Sequence, residues 1–380
     1  MGKIADIKYY RVPPRWLFVK ITDDAGNVGW GEASLEGHTQ AVEGCLDAWR
    51  DQYVGLEADD IEQIWQLSWR KSFYRGGPVF MSALSGLDIA LWDLKARKLG
   101  VPIYDLLGGK LRTKLKVYAW IGGDRPGDVE AAGRARQAQG FTAVKMNGTG
   151  DLGWLDSPSA LDGCVSRVAA VRALGLDVGV DLHGRAHRPM AKQLAAALAP
   201  HRPLFIEEPL LSEHVEALRA LAASTTVPVA LGERLHSRWD VKPFLGCVDV
   251  LQPDVCHVGG ISELRRIAAM AEAYDVALAP HCPLGPVALA ACMQVDAAAP
   301  NFAIQEMSLG IHYNAEGGGD LLSYVRDPRV WDVEDGYVNL MTGPGLGIEL
   351  DEERIVEASK NAVPWVSPGF TGPGGELREW

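Results

Sequence analysis

Six ionisable side chains recur along the second half of the chain at near-constant spacing. They are Asp181, Glu207, Glu233, Asp254, His281 and Glu306, at intervals of 26, 26, 21, 27 and 25 residues. Most of them close a short apolar run, as in Leu204-Phe205-Ile206-Glu207 and Ala277-Leu278-Ala279-Pro280-His281. If those runs are neighbouring strands, about 4.8 Å apart, their tips deliver the charged groups to one mouth. Asp181, Glu207 and Glu233 then form a hard, all-oxygen set that suits Mg²⁺, with Mn²⁺ close behind, rather than Zn²⁺. Glu208 competes with Glu207. Alternation along a strand puts the two on opposite faces, and Glu207 keeps the 26-residue register with both partners.

Two histidines complete the chemistry. His183 lies two residues beyond Asp181, on the same side of a continuing strand, and His281 ends a strand across the mouth. Asp254, one strand earlier, can bond the far ring nitrogen of His281, which fixes the tautomer and raises its basicity. A divalent cation flanked by two acid–base groups suits proton abstraction beside a carboxylate through an ene-diolate. Glu306 could hydrogen-bond the other oxygen of that ene-diolate, best in its protonated form.

A period near 26 residues holds one strand, one helix and two loops. Eight such units over roughly 250 residues make a (β/α)8-type barrel, with its catalytic groups at the C-terminal ends of the strands. The strand candidates are 116–120, 142–146, 177–181, 203–207, 228–233, 248–252, 275–280 and 302–306. Ahead of them, 3–12 and 16–32 alternate as strands do, and helical patterns follow at 38–53, 59–72 and 79–98. The reading is α/β: an α+β capping domain over 1–112, the barrel over 113–325, and a Gly- and Pro-rich segment, 326–380, that packs back on the cap.

The bulk properties fit an enzyme of small molecules. A net charge of −12 and a pI near 5.3 argue against a nucleic-acid surface. No apolar run approaches membrane-spanning length, and the N-terminus lacks a signal-peptide core. The six scattered cysteines read as reduced, buried thiols, so a cytoplasmic location is expected.

Lys145-Met146-Asn147-Gly148, Asp181-Leu182-His183-Gly184-Arg185, Gly232-Glu233-Arg234 and His281-Cys282-Pro283-Leu284-Gly285-Pro286, in this order behind a capping domain, resemble the enolase superfamily and its mandelate racemase subgroup. The resemblance covers nearly the whole chain. It implies Mg²⁺ on Asp181, Glu207 and Glu233 and dehydration of a sugar acid, D-galactonate before gluconate or mannonate, with C2 epimerisation or racemisation as the other outcome. His281, sharpened by Asp254, would take the C2 proton, His183 would protonate the leaving 3-hydroxyl, and Glu306 would stabilise the ene-diolate. Racemases of the subgroup carry Lys-x-Lys where this chain has Lys145-Met146-Asn147, so a lysine base on that face is missing. Arg15, Tyr74, Lys145 and Asn147 are the expected substrate contacts. The resemblance also implies a homo-oligomer.

Overall fold

The computed structural model describes residues 2–71, 73–123 and 127–380. The chain opens with three antiparallel strands: β1 (Ile4–Val12), β2 (Trp16–Asp23) and β3 (Val28–Glu32). Asp23 builds the turn between the last two, accepting from the backbone N–H groups of Ala25 and Asn27, as a short acceptor side chain does in turns. Helices Thr39–Tyr53, Ile61–Arg70 and Pro78–Leu99 follow. The third begins with proline at its first turn and stops at Gly100, in the left-handed conformation, the arrangement that proline and glycine each favour. It is buried on almost every face. One face meets β3 so closely that a Cβ on Gly31 would stand 1.9 Å from the Gly86 carbonyl oxygen. Only glycine allows that approach.

Eight parallel strands then run from β4 to β11: β4 (Lys114–Ile121), β5 (Ala143–Asn147), β6 (Asp177–Asp181), β7 (Phe205–Glu207), β8 (Val229–Leu231), β9 (Val250–Leu251), β10 (Ala277–Leu278) and β11 (Gln305–Met307). β4 through β10 pair in sequence, and β11 returns to pair with β4. A parallel bridge between Leu278 and Phe302 joins β10 to the run entering β11 and closes the barrel. Each sequence-predicted barrel strand overlaps one of these. The interior is packed by Tyr118, Ala143, Phe205, Ala230, Ala279 and Ile304, so the barrel is a core rather than a pore.

The first domain is fastened to the barrel through the N-termini of two barrel helices. Asp88 accepts from the backbone N–H (3.0 Å) and hydroxyl (2.6 Å) of Ser262 in helix Gly260–Glu272. Glu32 accepts from the N–H groups of Gly285 and Ala288, each at 2.9 Å, around the start of helix Pro286–Ala298. Both carboxylates satisfy donors that a helix start leaves free, worth about 1 kcal/mol per cap.

The segment after the barrel divides. The hairpin of β12 (Val333–Glu334) and β13 (Tyr337–Asn339) pairs with the start of β4, on the barrel itself. Residues 346–348 return to the cap, where Leu346 N donates to Asp93 (2.8 Å) and the Ile348 carbonyl accepts from Arg97 (2.7 Å). The chain beyond Trp365 continues to the barrel mouth. The middle of this stretch thus bonds to the cap, while both ends of it go to the barrel. Among the described residues no helix is long and apolar enough to cross a membrane.

Candidate active site

Above the packed layer, the next inward positions of β5 and β7 carry Lys145 and Glu207. Lys145 is fully buried, and its Nζ donates to both Glu207 oxygens (2.8 and 3.0 Å). Glu306 Oε1 lies 3.1 Å and Asp181 Oδ2 3.4 Å from the same nitrogen. Burial works against the ammonium, but Glu207 and Glu306 outweigh it and hold the amine well above the ordinary lysine range. One cation therefore already sits among three carboxylates from three strands.

Asp181 and Glu233 rise higher, into the mouth. With His183 they bring three potential ligand atoms within 4.8 Å of one another. Asp181 Oδ2 and Glu233 Oε2 are buried yet accept no hydrogen bond. Each faces a histidine Nε2 instead: His183 lies 3.3 Å from Asp181, and His281 lies 3.2 Å from Glu233. Buried, unsatisfied carboxylate oxygens are costly, and their convergence fits a hard divalent cation.

Glu207 is held differently from the other two members of the expected trio. Its oxygens are taken by Lys145 and by Gln252, whose Nε2 donates at 2.6 Å, so it does not join the Asp181–His183–Glu233 group. The alternation argument against Glu208 also fails in part. Glu208 has φ = +40°, which ends the strand geometry and keeps its buried carboxylate near the mouth, 3.0 Å from Arg234 Nε. Burial and the Glu233 charge push that carboxyl up to about 8.

The two histidines differ in their surroundings. His281 Nδ1 is 2.8 Å from Asp254 Oδ2, the pairing expected from sequence, and Asp254 is itself held by the Cys256 N–H (2.7 Å). Burial disfavours the imidazolium, but Glu233 and Asp254 prevail and raise it to about 10. His183 takes φ = +46°, with its N–H donating to Asp181 Oδ1 (2.9 Å). Burial pushes its ring down to about 4, against the pull of Asp181. Between the rings, Glu233 is held down at about 2 because His281 and His183 overcome the effect of burial.

Glu306 does not stand free as a donor. Its Oε2 accepts from the Cys282 N–H (3.0 Å) while Oε1 meets Lys145, so it is held as an acceptor, and Lys145 is the donor at that corner. The remaining expected contacts separate. Arg15 and Lys145 line a cavity of about 540 Å³ over these groups. Asn147 bonds His183 and Arg185. Tyr74 lies outside the cavity, 76% exposed and edge-on to Phe73; the strand-tip register that located the acids says nothing about cap loops.

Several lining residues carried no usable sequence signal. Trp120, Glu36, His257, Trp365 and Trp380 border the same cavity. Glu36 lies 3.4 Å from His257 and 3.6 Å from Arg15, and Arg15 stacks over Tyr313 at 3.7 Å. His257, three residues after Asp254, was the one that spacing could have singled out.

Comparison with known proteins is consistent along the chain. The model of the mandelate racemase/muconate lactonizing enzyme N-terminal domain matches residues 13–108, and that of the enolase C-terminal domain-like family matches 128–354. A D-galactonate dehydratase from Ralstonia pickettii is 50% identical over 383 aligned positions, covering all of both chains. One from Variovorax paradoxus is 49% identical over the same span. Among solved structures, an enolase from Agrobacterium radiobacter with bound sodium and L-malate superimposes with a TM-score of 0.89 at 32% identity, covering 100% of each chain.

Proposed function

The chain belongs to the mandelate racemase/muconate lactonizing enzyme family of the enolase superfamily, and on that premise we propose that its cavity dehydrates D-galactonate to 2-dehydro-3-deoxy-D-galactonate. The enzyme is a hydro-lyase of sugar acids: the C2 proton and the C3 hydroxyl leave as water, and the enol that remains becomes the 2-keto acid. The relatives that match it over their whole length carry that activity in their names. The neighbour with sodium and L-malate holds a 2-hydroxy carboxylate, the same head group as an aldonate.

One observation carries the geometric side. The Nε2 atoms of His183 and His281 face the two orphaned oxygens of Asp181 and Glu233, 3.3 and 3.2 Å away. Asp181, Glu207 and Glu233 would hold Mg²⁺. Glu207 and Asp181 already share the Lys145 ammonium, and Glu233 joins Asp181 at the mouth. Bound there, the cation would supply positive charge to the substrate carboxylate and to the ene-diolate that forms from it. His281, oriented by Asp254, takes the C2 proton through Nε2. His183 hands a proton to the departing 3-hydroxyl. Lys145 donates toward the charge that builds on the carboxylate side, with Glu306 fixing its position. Arg15 lies on the cavity wall and would meet the distal hydroxyls.

The test is a 2-keto acid assay over D-galactonate, gluconate and mannonate with Mg²⁺, with and without EDTA. Turnover of D-galactonate above the other two, abolished by EDTA, is expected. No keto acid from any of them, with hydrogen exchange at C2, would instead mark an epimerase.

A further inference from the structure

Asn147 occupies the place where the racemases of this subgroup have their second lysine. Its amide is fixed from both sides. Arg185 Nη1, which can only donate, meets Oδ1 at 2.9 Å. On the other side Nδ2 donates to the carbonyl of Gly123, which can only accept. The atom facing His183 Nδ1, 3.0 Å away, is therefore an acceptor, and His183 Nδ1 must carry hydrogen. That leaves Nε2 as the nitrogen turned to Asp181 Oδ2 and the cavity.

Arg185 is anchored in turn. Its Nε donates to the backbone oxygen of Trp380 (2.8 Å), and Nη1 also reaches the Thr149 carbonyl (3.1 Å). Trp380 is presented by a small hairpin in which Thr371 pairs with Leu377 and Arg378 N donates to Phe370 O. Its indole lies edge-on to the His183 ring, 5.3 Å between centroids, and Trp120 makes a second edge contact at 5.9 Å. The imidazole thus touches two indoles and is pinned at Nδ1.

We propose that Asn147, Arg185 and Trp380 are positioning residues for the leaving-group half of the reaction, fixing His183 with Nδ1 protonated so that Nε2 alone faces the 3-hydroxyl. The inference rests on the dehydratase reading. In the step concerned, His183 enters as the imidazolium, with a second proton taken up from solvent at Nε2; the C3–O bond breaks, that proton joins the departing oxygen to make water, and His183 is left in the Nδ1–H form that the Asn147 oxygen accepts. A second lysine at position 147 would present donors only and could not stabilise that form. Substituting Asn for Lys changes this face from a base into a support for the histidine.

The reaction has two separable halves, which gives a readout that a general loss of structure would not imitate. In D₂O, removal of the C2 proton is followed as hydrogen exchange into D-galactonate, and completion as 2-keto acid. For Asn147→Leu we expect kcat for keto acid to fall by about 100-fold, the scale of a misplaced general acid, with KM within about threefold and C2 exchange retained. Trp380→Ala should shift the same ratio by about tenfold, and Trp380→Phe should restore it. If exchange and keto acid fall in equal proportion, or if neither changes, the proposal is overturned. Should Asn147→Leu not fold, the Trp380 pair decides alone. An unsubstituted enzyme that neither exchanges nor dehydrates D-galactonate overturns the functional reading and this inference with it. Activity in the unsubstituted enzyme with unsplit variants overturns this inference only.

Discussion

Glu208 holds a left-handed backbone conformation, φ = +40°, that few non-glycine residues adopt. It stands next to Glu207, whose oxygens are claimed by Lys145 and Gln252. Two buried acids therefore compete for one place in the cation set, and their partners differ. Displacing a lysine from Glu207 leaves the ammonium still paired with Glu306, whereas taking Glu208 from Arg234 removes the nearest carboxylate of a guanidinium whose other acid, Glu233, is already in the cation set. We expect Glu207→Gln to weaken Mg²⁺ binding by about 100-fold and to abolish turnover, while Glu208→Gln stays within about tenfold on both. Calorimetric titration of the two variants checks this, and the reverse order would assign the ligand to Glu208. The sequence made the acids legible because most of them close an apolar run. It could not show the conformation at Glu208, since nothing about a glutamate announces a positive φ. The partners of Lys145 and Asn147 were hidden for a similar reason: both lie inside one strand, and what they touch comes from other strands and from Arg185.

Among the elements, the two domains are joined by carboxylates rather than by apolar contact alone. Glu32 on β3 and Asp88 on helix Pro78–Leu99 cap barrel helices, and burial lifts both to about 7. The unfolded chain carries ordinary carboxylates near 4. Between those values the folded protein holds protons that the unfolded chain does not, so each group adds stability as pH falls from about 7 toward 4. The slope is at most about 1.4 kcal/mol per pH unit for each. Thermal midpoints should therefore climb between pH 8 and pH 5.5, and Asp88→Asn should remove its share of that slope. A midpoint that falls on acidification, or a slope unchanged in the variant, would contradict this account of the interface. The elements themselves were readable. The hydrophobic period located every barrel strand, and the glycine–proline stop located the end of the buried helix. The course of residues 363–380 was not readable. A Gly- and Pro-rich stretch has no period, and its path depends on where Trp365 and Trp380 find aromatic and histidine neighbours.

At the scale of the whole chain, a closed barrel gathers six regularly spaced residues, a cap covers them, and the segment beyond the barrel supplies a wall. Among the described residues, the fold assembles two groups of potential ligands: Asp181, His183 and Glu233, and Asp254, His257 and His281. Only the first leaves His281 free to act as a base. The most direct measurement is the position of Mn²⁺, from anomalous scattering, in crystals of the His281→Asn variant with D-galactonate bound. The account predicts a peak among Asp181, Glu207 and Glu233, with C2 turned to residue 281 and the 3-hydroxyl turned to His183. A peak at Asp254 and His257, or a substrate with both carbons facing one side, would contradict it.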